Sequence, residues 1–181
     1  MQSKKKTEIE FEHVYADGVG YVMATKNRKS GVFDLQGKQI VACEYDPEFI
    51  MQYRMGFRVS KNKKRGIVGK DGAVLIPLIY DDVDPFFESE LNEFVKVKSG
   101  EKYGILSLKG KMIIPVAFEW IGEENGLLKV LTADKRCGLY EKTGKVIVPA
   151  NYQWISDSDS RNGNILILKK EDNSYNFLNK N

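Results

Sequence analysis

The sequence has little of what an enzyme or a metalloprotein requires. It contains two cysteines and a single histidine in 181 residues. A zinc site uses four nitrogen or sulfur ligands in paired spacing, and a Ser-His-Asp or Cys-His arrangement would have to be built on His13. No glycine-rich segment has the form of a phosphate-binding loop. These absences predict a non-catalytic protein that holds no metal and no cofactor.

A strong charge imbalance and long apolar runs are also missing. Lys and Arg exceed Asp and Glu by 28 to 25, a net charge of +3, which by itself implies neither a nucleic-acid nor a membrane partner. The apolar runs, such as Val74–Pro77, are too short to span a bilayer. No apolar signal-peptide core follows the basic start of the sequence as given. We therefore expect a cytoplasmic protein in which Cys43 and Cys137 are free thiols.

What the sequence does contain is a repeat. Four segments align without gaps, and each has a lead glycine, a second glycine six residues later and an aromatic residue fourteen residues later. A proline stands eleven residues after the lead glycine in three of them. The lead glycines are 35, 38 and 34 residues apart, a period typical of solenoids, propellers and arrays. The repeat residues are Gly31, Gly66, Gly104, Gly138, Pro77, Pro115, Pro149, Tyr45, Tyr80, Phe118 and Tyr152.

This pattern resembles the WG family of repeats (tryptophan-glycine, also written KWG). The family unit reads aromatic-Gly and two apolar residues, then Asp-x-x-Gly-Lys, an apolar run, Pro and Tyr-Asp. The resemblance covers nearly the whole chain, and the aromatic residue before the glycine is present as Tyr103 and as Tyr175, which precedes Asn176. Three other residues stand at that place in the remaining copies: Ser30, Arg65 and Cys137.

The copies together predict a single domain over residues 1–181. Four units cover about 21–50, 56–83, 93–121 and 126–155, and partial units lie at 11–14 and 164–178.

Each unit is read as four short strands with glycine and proline between them, which indicates an all-β fold. In the second unit the strands are Phe57–Val59, Gly66–Val68, Val74–Ile76 and Tyr80–Val83. The proline is predicted to end the third strand because it lacks an N–H group. The third strand is apolar on successive residues, which indicates cover on both faces and sheets that stack. We expect antiparallel β-meander repeats packed sheet on sheet, in a propeller-like ring of about five small blades or in an open β-solenoid.

Charge follows the repeat and predicts two rims. The connections between units are acidic, as at Asp81, Asp82, Glu119 and Glu123, and the turns between the first and second strands are basic. In an up-and-down meander these two sets would fall at opposite ends of the strands. The alternative is that lysines in the turns only keep the sheet edges soluble. The candidate basic rim consists of Lys29, Lys61, Lys63, Lys64, Arg65, Lys102 and Arg136.

The place sixteen residues after the lead glycine holds Pro47, Asp82, Trp120 and Trp154 in successive copies. It alternates with an apolar residue, so its side chain should face outward. Trp120 and Trp154 would then form an aromatic patch of the type enriched in interface hot spots, unless they pack between units. Asp82 and two aromatic residues in the longest connection are further candidate protein-binding residues: Phe86 and Phe87.

The leading hypothesis is a bacterial WG-type repeat protein that binds another protein. One specific form is an immunity or inhibitor protein that neutralises a toxin or effector. The alternatives are a nucleic-acid binder that uses the basic rim, and a structural module of a larger effector. Aromatic residues do not alternate with the rim lysines, which counts against nucleic acid.

Overall fold

The structure is a computed structural model. It describes residues 10–16, 20–47, 50–85, 94–124, 126–157 and 165–179. These residues form nineteen β-strands and no α-helix, which confirms the predicted all-β class. No helix in the described part of the chain is long and apolar enough to cross a membrane.

The described strands pair in chain order into five sheets, the first four of four strands and the fifth of three. Sheet 1 contains β1 (His13–Ala16), β2 (Tyr21–Lys26), β3 (Lys29–Asp34) and β4 (Gln39–Tyr45). Sheet 2 contains β5 (Met51–Gln52), β6 (Gly56–Lys61), β7 (Lys64–Gly69) and β8 (Val74–Tyr80). Sheet 3 contains β9 (Asp82–Pro85), β10 (Phe94–Ser99), β11 (Lys102–Ser107) and β12 (Met112–Phe118). Sheet 4 contains β13 (Trp120–Glu124), β14 (Leu127–Leu131), β15 (Cys137–Tyr140) and β16 (Val146–Tyr152), and sheet 5 contains β17 (Trp154–Asp157), β18 (Ile165–Lys169) and β19 (Tyr175–Asn179).

The lead glycines have equivalent surroundings, as a true repeat requires. A Cβ atom added at Gly31 or Gly66 would lie 2.5 Å from a carbonyl oxygen of the outer strand of the same sheet. At Gly104 the carbonyl oxygen of Ile114 would be 2.9 Å away, and at Gly138 the backbone of Ala150 would be 2.8 Å away. Because each lead glycine has no Cβ atom, the backbone of the outer strand can approach the third strand closely at this position.

The second glycines are required for two reasons. Gly72 and Gly144 have φ angles of +88° and +93°, and side chains with a Cβ are strained in that region. In addition, a Cβ at Gly72 would lie 2.9 Å from the Ile40 oxygen, and one at Gly144 would lie 2.7 Å from the Ile113 oxygen. Each hairpin thus rests on the outer strand of the preceding sheet.

The prediction that proline ends the third strand is wrong. Pro77 lies in the middle of β8, and the same holds in β12 and β16. These strands form the outer edge of their sheets, where a missing N–H group breaks no ladder. The expected cover on both faces is also absent at their first residues, which are 57%, 47% and 48% exposed: Val74, Met112 and Val146.

The closing segment of each repeat does not complete its own sheet. Tyr80–Val83 was expected to be the fourth strand of its unit, but β8 ends at Tyr80 and β9 opens sheet 3. The single residue between two such strands turns the chain toward the next sheet, as at Glu119, whose N–H donates to the Leu131 carbonyl at 2.8 Å. The short strand that closes one sequence repeat is therefore the first strand of the next sheet.

The chain divides into two compact units. Unit 1 is Met1–Val83 with Leu108–Gly110, and unit 2 is Asp84–Ser107 with Lys111–Asn181. In unit 1, sheets 1 and 2 pack through one apolar cluster that includes Val32 and Phe57.

In unit 2, sheets 3 and 4 share a cluster with Ile105 and Leu128, and sheets 4 and 5 share another with Val148 and Leu168. Sheets therefore stack on one another within each unit, as predicted. The described residues of either unit, taken alone, form an open stack and not a ring.

Candidate protein-binding surface

One end of each four-stranded sheet carries both the hairpin between its second and third strands and the residues that follow its outer strand. The two meet because the third and outer strands are antiparallel, so Arg65 pairs with Tyr80 and Tyr103 pairs with Phe118. We call this end the hairpin end. The hairpins include left-handed residues such as Lys63, with a φ of +60°, as two-residue turns of this kind require.

This topology corrects the predicted separation of charge. Asp81, Asp82 and Glu119 lie at the hairpin end beside the basic residues, and not at the opposite end. Asp81 and Glu119 follow an outer strand directly, and Asp82 is the next residue after Asp81. Glu123 instead lies near the far end of the strand β13 and pairs with Lys142 at 2.7 Å. Several other acidic residues of the predicted acidic rim lie outside the described residues: Glu88, Glu90, Glu93 and Asp159.

The basic residues of the hairpin end form ion pairs with acidic residues of the described chain. Arg65 contacts Asp82, and the other pairs have nitrogen to oxygen distances of 2.5 to 3.7 Å: Lys29–Asp46, Lys61–Glu44, Lys64–Asp81, Lys102–Glu119, Lys135–Glu119 and Arg136–Glu171. Each exposed pair contributes about 0–1 kcal/mol, yet together they neutralise the rim locally. In the described part of the chain, Lys63 forms no ion pair, and its side chain is exposed at the turn.

Asp82, predicted as a protein-binding residue, is held by its own chain. Its carboxylate contacts Arg65, lies 3.6 Å from Arg58 and accepts a hydrogen bond from the Val83 N–H at 2.9 Å. Partial burial acts to raise the pKa of Asp82, but the hydrogen bonds and positive charges outweigh it and lower that pKa below its usual value. The carboxylate is therefore ionised and engaged within unit 1.

Trp120 and Trp154 occupy the same position in sheets 4 and 5, as the first residues of β13 and β17. Their side chains are 45% and 47% exposed, whereas the next residues, Ile121 and Ile155, are buried. The outward orientation predicted from the alternation is therefore correct. Protein binding by these residues stays a prediction, and Phe86 and Phe87 lie outside the described residues.

A set of partly buried cations was missed by the sequence reasoning. Arg58, Lys96 and Lys129 occupy equivalent places in the second strands of sheets 2, 3 and 4. Each donates to a backbone carbonyl of the following first strand, at 3.3, 3.2 and 3.4 Å. The acceptors are Val83, Ile121 and Ile155.

The signal for these cations was present in the sequence. One basic residue stands between two apolar residues in three successive copies, as in Phe57–Val59 and Leu128–Val130. Lys96 and Lys129 tie one sheet of unit 2 to the next by a charge-assisted hydrogen bond, and Arg58 makes the equivalent bond to Val83 within unit 1.

The reactive groups of the described chain are few. Cys43 and Cys137 are free thiols, as predicted, and burial raises the pKa of both, which makes them weak nucleophiles at neutral pH. No group of three or more His, Cys, Asp or Glu residues in the described part of the chain is arranged to hold a metal ion.

The fold and this surface define a class: an all-β tandem-repeat protein whose blade-like sheets present loops and hairpins to solvent. A family model with the description "WG containing repeat" matches residues 66–103, 103–135 and 138–173. The chain belongs to the WG repeat family. A search of curated proteins found no match.

The chain also has similarity to several solved structures. Kluyveromyces lactis Hsv2 is 14% identical with a TM-score of 0.35, over 89% of this chain and 57% of that one. The WD40 β-propeller domain of Doa1 is 10% identical with a TM-score of 0.35, over 92% and 67%. Streptogramin B lyase is 14% identical with a TM-score of 0.31, over 96% and 70%. The chain thus spans just over half the length of the Hsv2 chain.

Proposed function

We propose that this chain is a non-catalytic protein-binding module whose contact surface is the hairpin end of unit 2. The observation that carries the proposal is the pair of exposed tryptophans, Trp120 and Trp154, at one repeat position on two packed sheets. Tryptophan is among the residues most enriched in interface hot spots. A repeat position that presents a large apolar side chain to solvent twice in succession is suited to recognition.

The charges around the tryptophans support the same proposal. Glu119 is the residue before Trp120, and it lies 3.7 Å from Lys102 and 3.6 Å from Lys135. Arg136 pairs with Glu171 at 2.6 Å in the same unit. An apolar centre with a rim of mixed charge is the usual anatomy of a protein interface. A nucleic-acid surface would instead require unpaired positive charge.

The finer proposal is that the partner is a toxin or effector and that binding inhibits it. In that form the protein acts as an immunity protein in the cytoplasm, where the two free thiols stay reduced. A toxin gene next to the gene of this protein, followed by rescue of growth on co-expression, would support the inhibitor. Co-expression without rescue would contradict it and leave the binding module intact.

The binding proposal is tested with affinity capture followed by titration of the purified partner. Trp120→Ala and Trp154→Ala are each expected to raise the dissociation constant by about tenfold or more. Val146→Ala is the matched control, because Val146 is also about half exposed in unit 2 but lies on an outer strand.

Two results would contradict the proposal. One is equal binding by both tryptophan variants and the control. The other is capture of nucleic acid with an affinity that falls steeply between about 50 and 200 mM salt, since phosphate contacts release counterions.

A further inference from the structure

The two exposed tryptophans of unit 2 each stand beside a hairpin turn. Trp120 pairs with Leu131 and Trp154 pairs with Lys169, and in both sheets the second strand ends at the paired residue. The turn that follows covers residues 132–136 in sheet 4 and 170–174 in sheet 5. Each tryptophan is therefore one strand away from a turn that extends beyond the end of its sheet.

The two turns have the same backbone geometry. In each, the first residue donates to the carbonyl of the fifth at 2.9 Å, and the fourth donates to the carbonyl of the first at 3.1 or 3.2 Å. The fourth residues, Lys135 and Asn173, are left-handed, with φ angles of +62° and +64°. The third residues are both aspartates, Asp134 and Asp172. A tryptophan and an aspartate thus recur at equivalent positions of two successive sheets.

Each aspartate is fixed to its own turn through one carboxylate oxygen. The Oδ1 atom of Asp134 accepts a hydrogen bond from the Thr132 hydroxyl at 2.6 Å. The Oδ1 atom of Asp172 accepts from the Ser174 hydroxyl at 2.6 Å and from the Ser174 N–H at 2.9 Å. These hydrogen bonds favour the ionised form and lower the pKa of both carboxyls below the usual value. Both exposed side chains are therefore negatively charged at neutral pH.

Acidic side chains outnumber basic ones among the exposed charges of this end. Three acidic side chains, one from the turn of each sheet of unit 2, are 74 to 89% exposed: Glu101, Asp134 and Glu171. Three basic side chains of the same end are only 17 to 35% exposed: Lys98, Lys102 and Arg136. In the described part of this end, the exposed basic residues are Lys135 and Lys170. The outer surface of the turns is thus acidic, and most of the basic side chains lie closer to the sheets.

The exposed turn residues of unit 1 have the opposite charge. Arg28 and Lys63 stand three residues before the lead glycine in sheets 1 and 2, and both are exposed. The residue at that place in sheet 3 is Glu101. Acidic turns and exposed tryptophans therefore occur together in unit 2.

Tryptophan rings and carboxylates attract the same chemical group. The face of an indole ring is electron-rich and binds a lysine or arginine side chain. Exposed carboxylates raise the association rate of a positively charged partner and repel a negatively charged one. Each tryptophan, together with the aspartate of its own sheet, is therefore suited to a cation.

We propose, building on the protein binding proposed above, that the partner presents lysine or arginine side chains to the hairpin end of unit 2. One basic side chain would bind at Trp120 and Asp134, and a second at Trp154 and Asp172. The acidic turns would attract the basic segment of the partner, and the indole rings would hold it.

The first test selects binders from a display library of random linear peptides on the full chain. Enriched peptides that lose binding to Trp120→Ala or Trp154→Ala should contain lysine or arginine. A synthetic copy with those residues changed to glutamine should have a dissociation constant about tenfold higher or more. Binding of the basic peptide should also weaken as the salt concentration rises, because exposed charges are screened.

The second test removes the charge of the two aspartates and keeps their turns. Asn in Asp134→Asn and Asp172→Asn retains the oxygen that accepts the turn hydrogen bonds. Each variant should slow association of the basic peptide about threefold, and the double variant about tenfold. Glu141→Gln is the matched control, because it removes an acidic charge after β15, at the opposite end of sheet 4. It should leave association unchanged, and thermal unfolding of every variant checks the fold.

The possible outcomes separate this proposal from the protein-binding proposal. Enriched peptides that require the tryptophans but carry no basic residue would overturn the cationic partner and leave protein binding in place. A library from which no peptide is enriched would also overturn it alone, since the capture experiment above tests binding independently. Basic peptides that bind both tryptophan variants as well as the parent chain would overturn both proposals. Equal association rates for the parent chain and the double Asp variant would remove the aspartates from the site.

Discussion

The hairpin ends of the two units are built on the same sheet geometry but have different surfaces. In unit 1 the place sixteen residues after the lead glycine holds Pro47 and Asp82, and Asp82 is bound by two arginines. In unit 2 the same place holds Trp120 and Trp154, which are about half exposed. The repeat thus conserves the frame and changes the residue that faces solvent.

The ion pairs at the two hairpin ends also differ in their distances. In unit 1 the distances of Lys29–Asp46 and Lys64–Asp81 are 2.7 and 2.5 Å. In unit 2 Arg136–Glu171 is as short, at 2.6 Å, but Glu119, the residue before Trp120, is shared between two lysines at 3.6 and 3.7 Å. Charges that are satisfied within the chain have little to offer a partner, which supports the proposal that a partner binds the hairpin end of unit 2.

The largest predicted effect tests whether both units depend on the same frame. Gly66→Ala in unit 1 and Gly138→Ala in unit 2 should each lower the free energy of unfolding by about 2–4 kcal/mol, because the new Cβ atom meets outer-strand backbone. Urea denaturation measures this loss. Gly100→Ala is the control, since its Cβ atom would meet nothing within 4 Å and only its φ of +58° is strained, at about 1 kcal/mol. A loss at Gly138 no larger than at Gly100 would contradict the shared frame.

The next effect concerns the partly buried cations of the second strands. Arg58→Met in unit 1 and Lys129→Met in unit 2 should each cost about 1–2 kcal/mol, because the carbonyl of Val83 or of Ile155 loses its donor. Methionine is a suitable replacement, since Met23 fills the equivalent place in sheet 1. Chemical denaturation at neutral pH gives the result. If either variant were as stable as the parent chain, its hydrogen bond to Val83 or Ile155 would make no contribution to stability.

The sequence predicted the repeat, the all-β class and the stacking of sheets, because glycine spacing and apolar strands are local signals. It did not predict which end of the sheet each acidic residue occupies. That depends on whether β8 stops at Pro77 or continues to Tyr80, and only the edge position of β8 decides it. The contacts of Asp82 with Arg58 and Arg65 then follow, and they join residues 24 and 17 positions apart.

A smaller effect is expected at Asp82, and it depends on pH. Asp82→Asn should destabilise the chain by about 1 kcal/mol at neutral pH, a value reduced by solvent screening of this partly exposed group. The folded-state pKa of Asp82 lies below its ordinary value of 3.8. Its contribution is therefore present above pH 3.8 and is lost as the pH falls through the folded-state pKa.

The stabilities of the parent chain and the Asp82→Asn variant should consequently converge in acid. Thermal melts from neutral pH downward test this. A difference that stays constant below pH 3.8 would mean that the Asp82 charge is not the cause.

The smallest effect on stability is expected at the hairpin end of unit 2. Lys135 is 76% exposed and lies 3.6 Å from Glu119, so Lys135→Ala should change the free energy of unfolding by less than about 0.5 kcal/mol. Partner binding should respond differently, because Glu119 adjoins Trp120 and would keep only Lys102 as a partner within the chain, which leaves it better able to attract a cation of the binding partner. A faster association rate with unchanged stability would sharpen the contrast between the two hairpin ends. A stability loss as large as that of Asp82→Asn would erase it, since the second end would then be as firmly tied as the first.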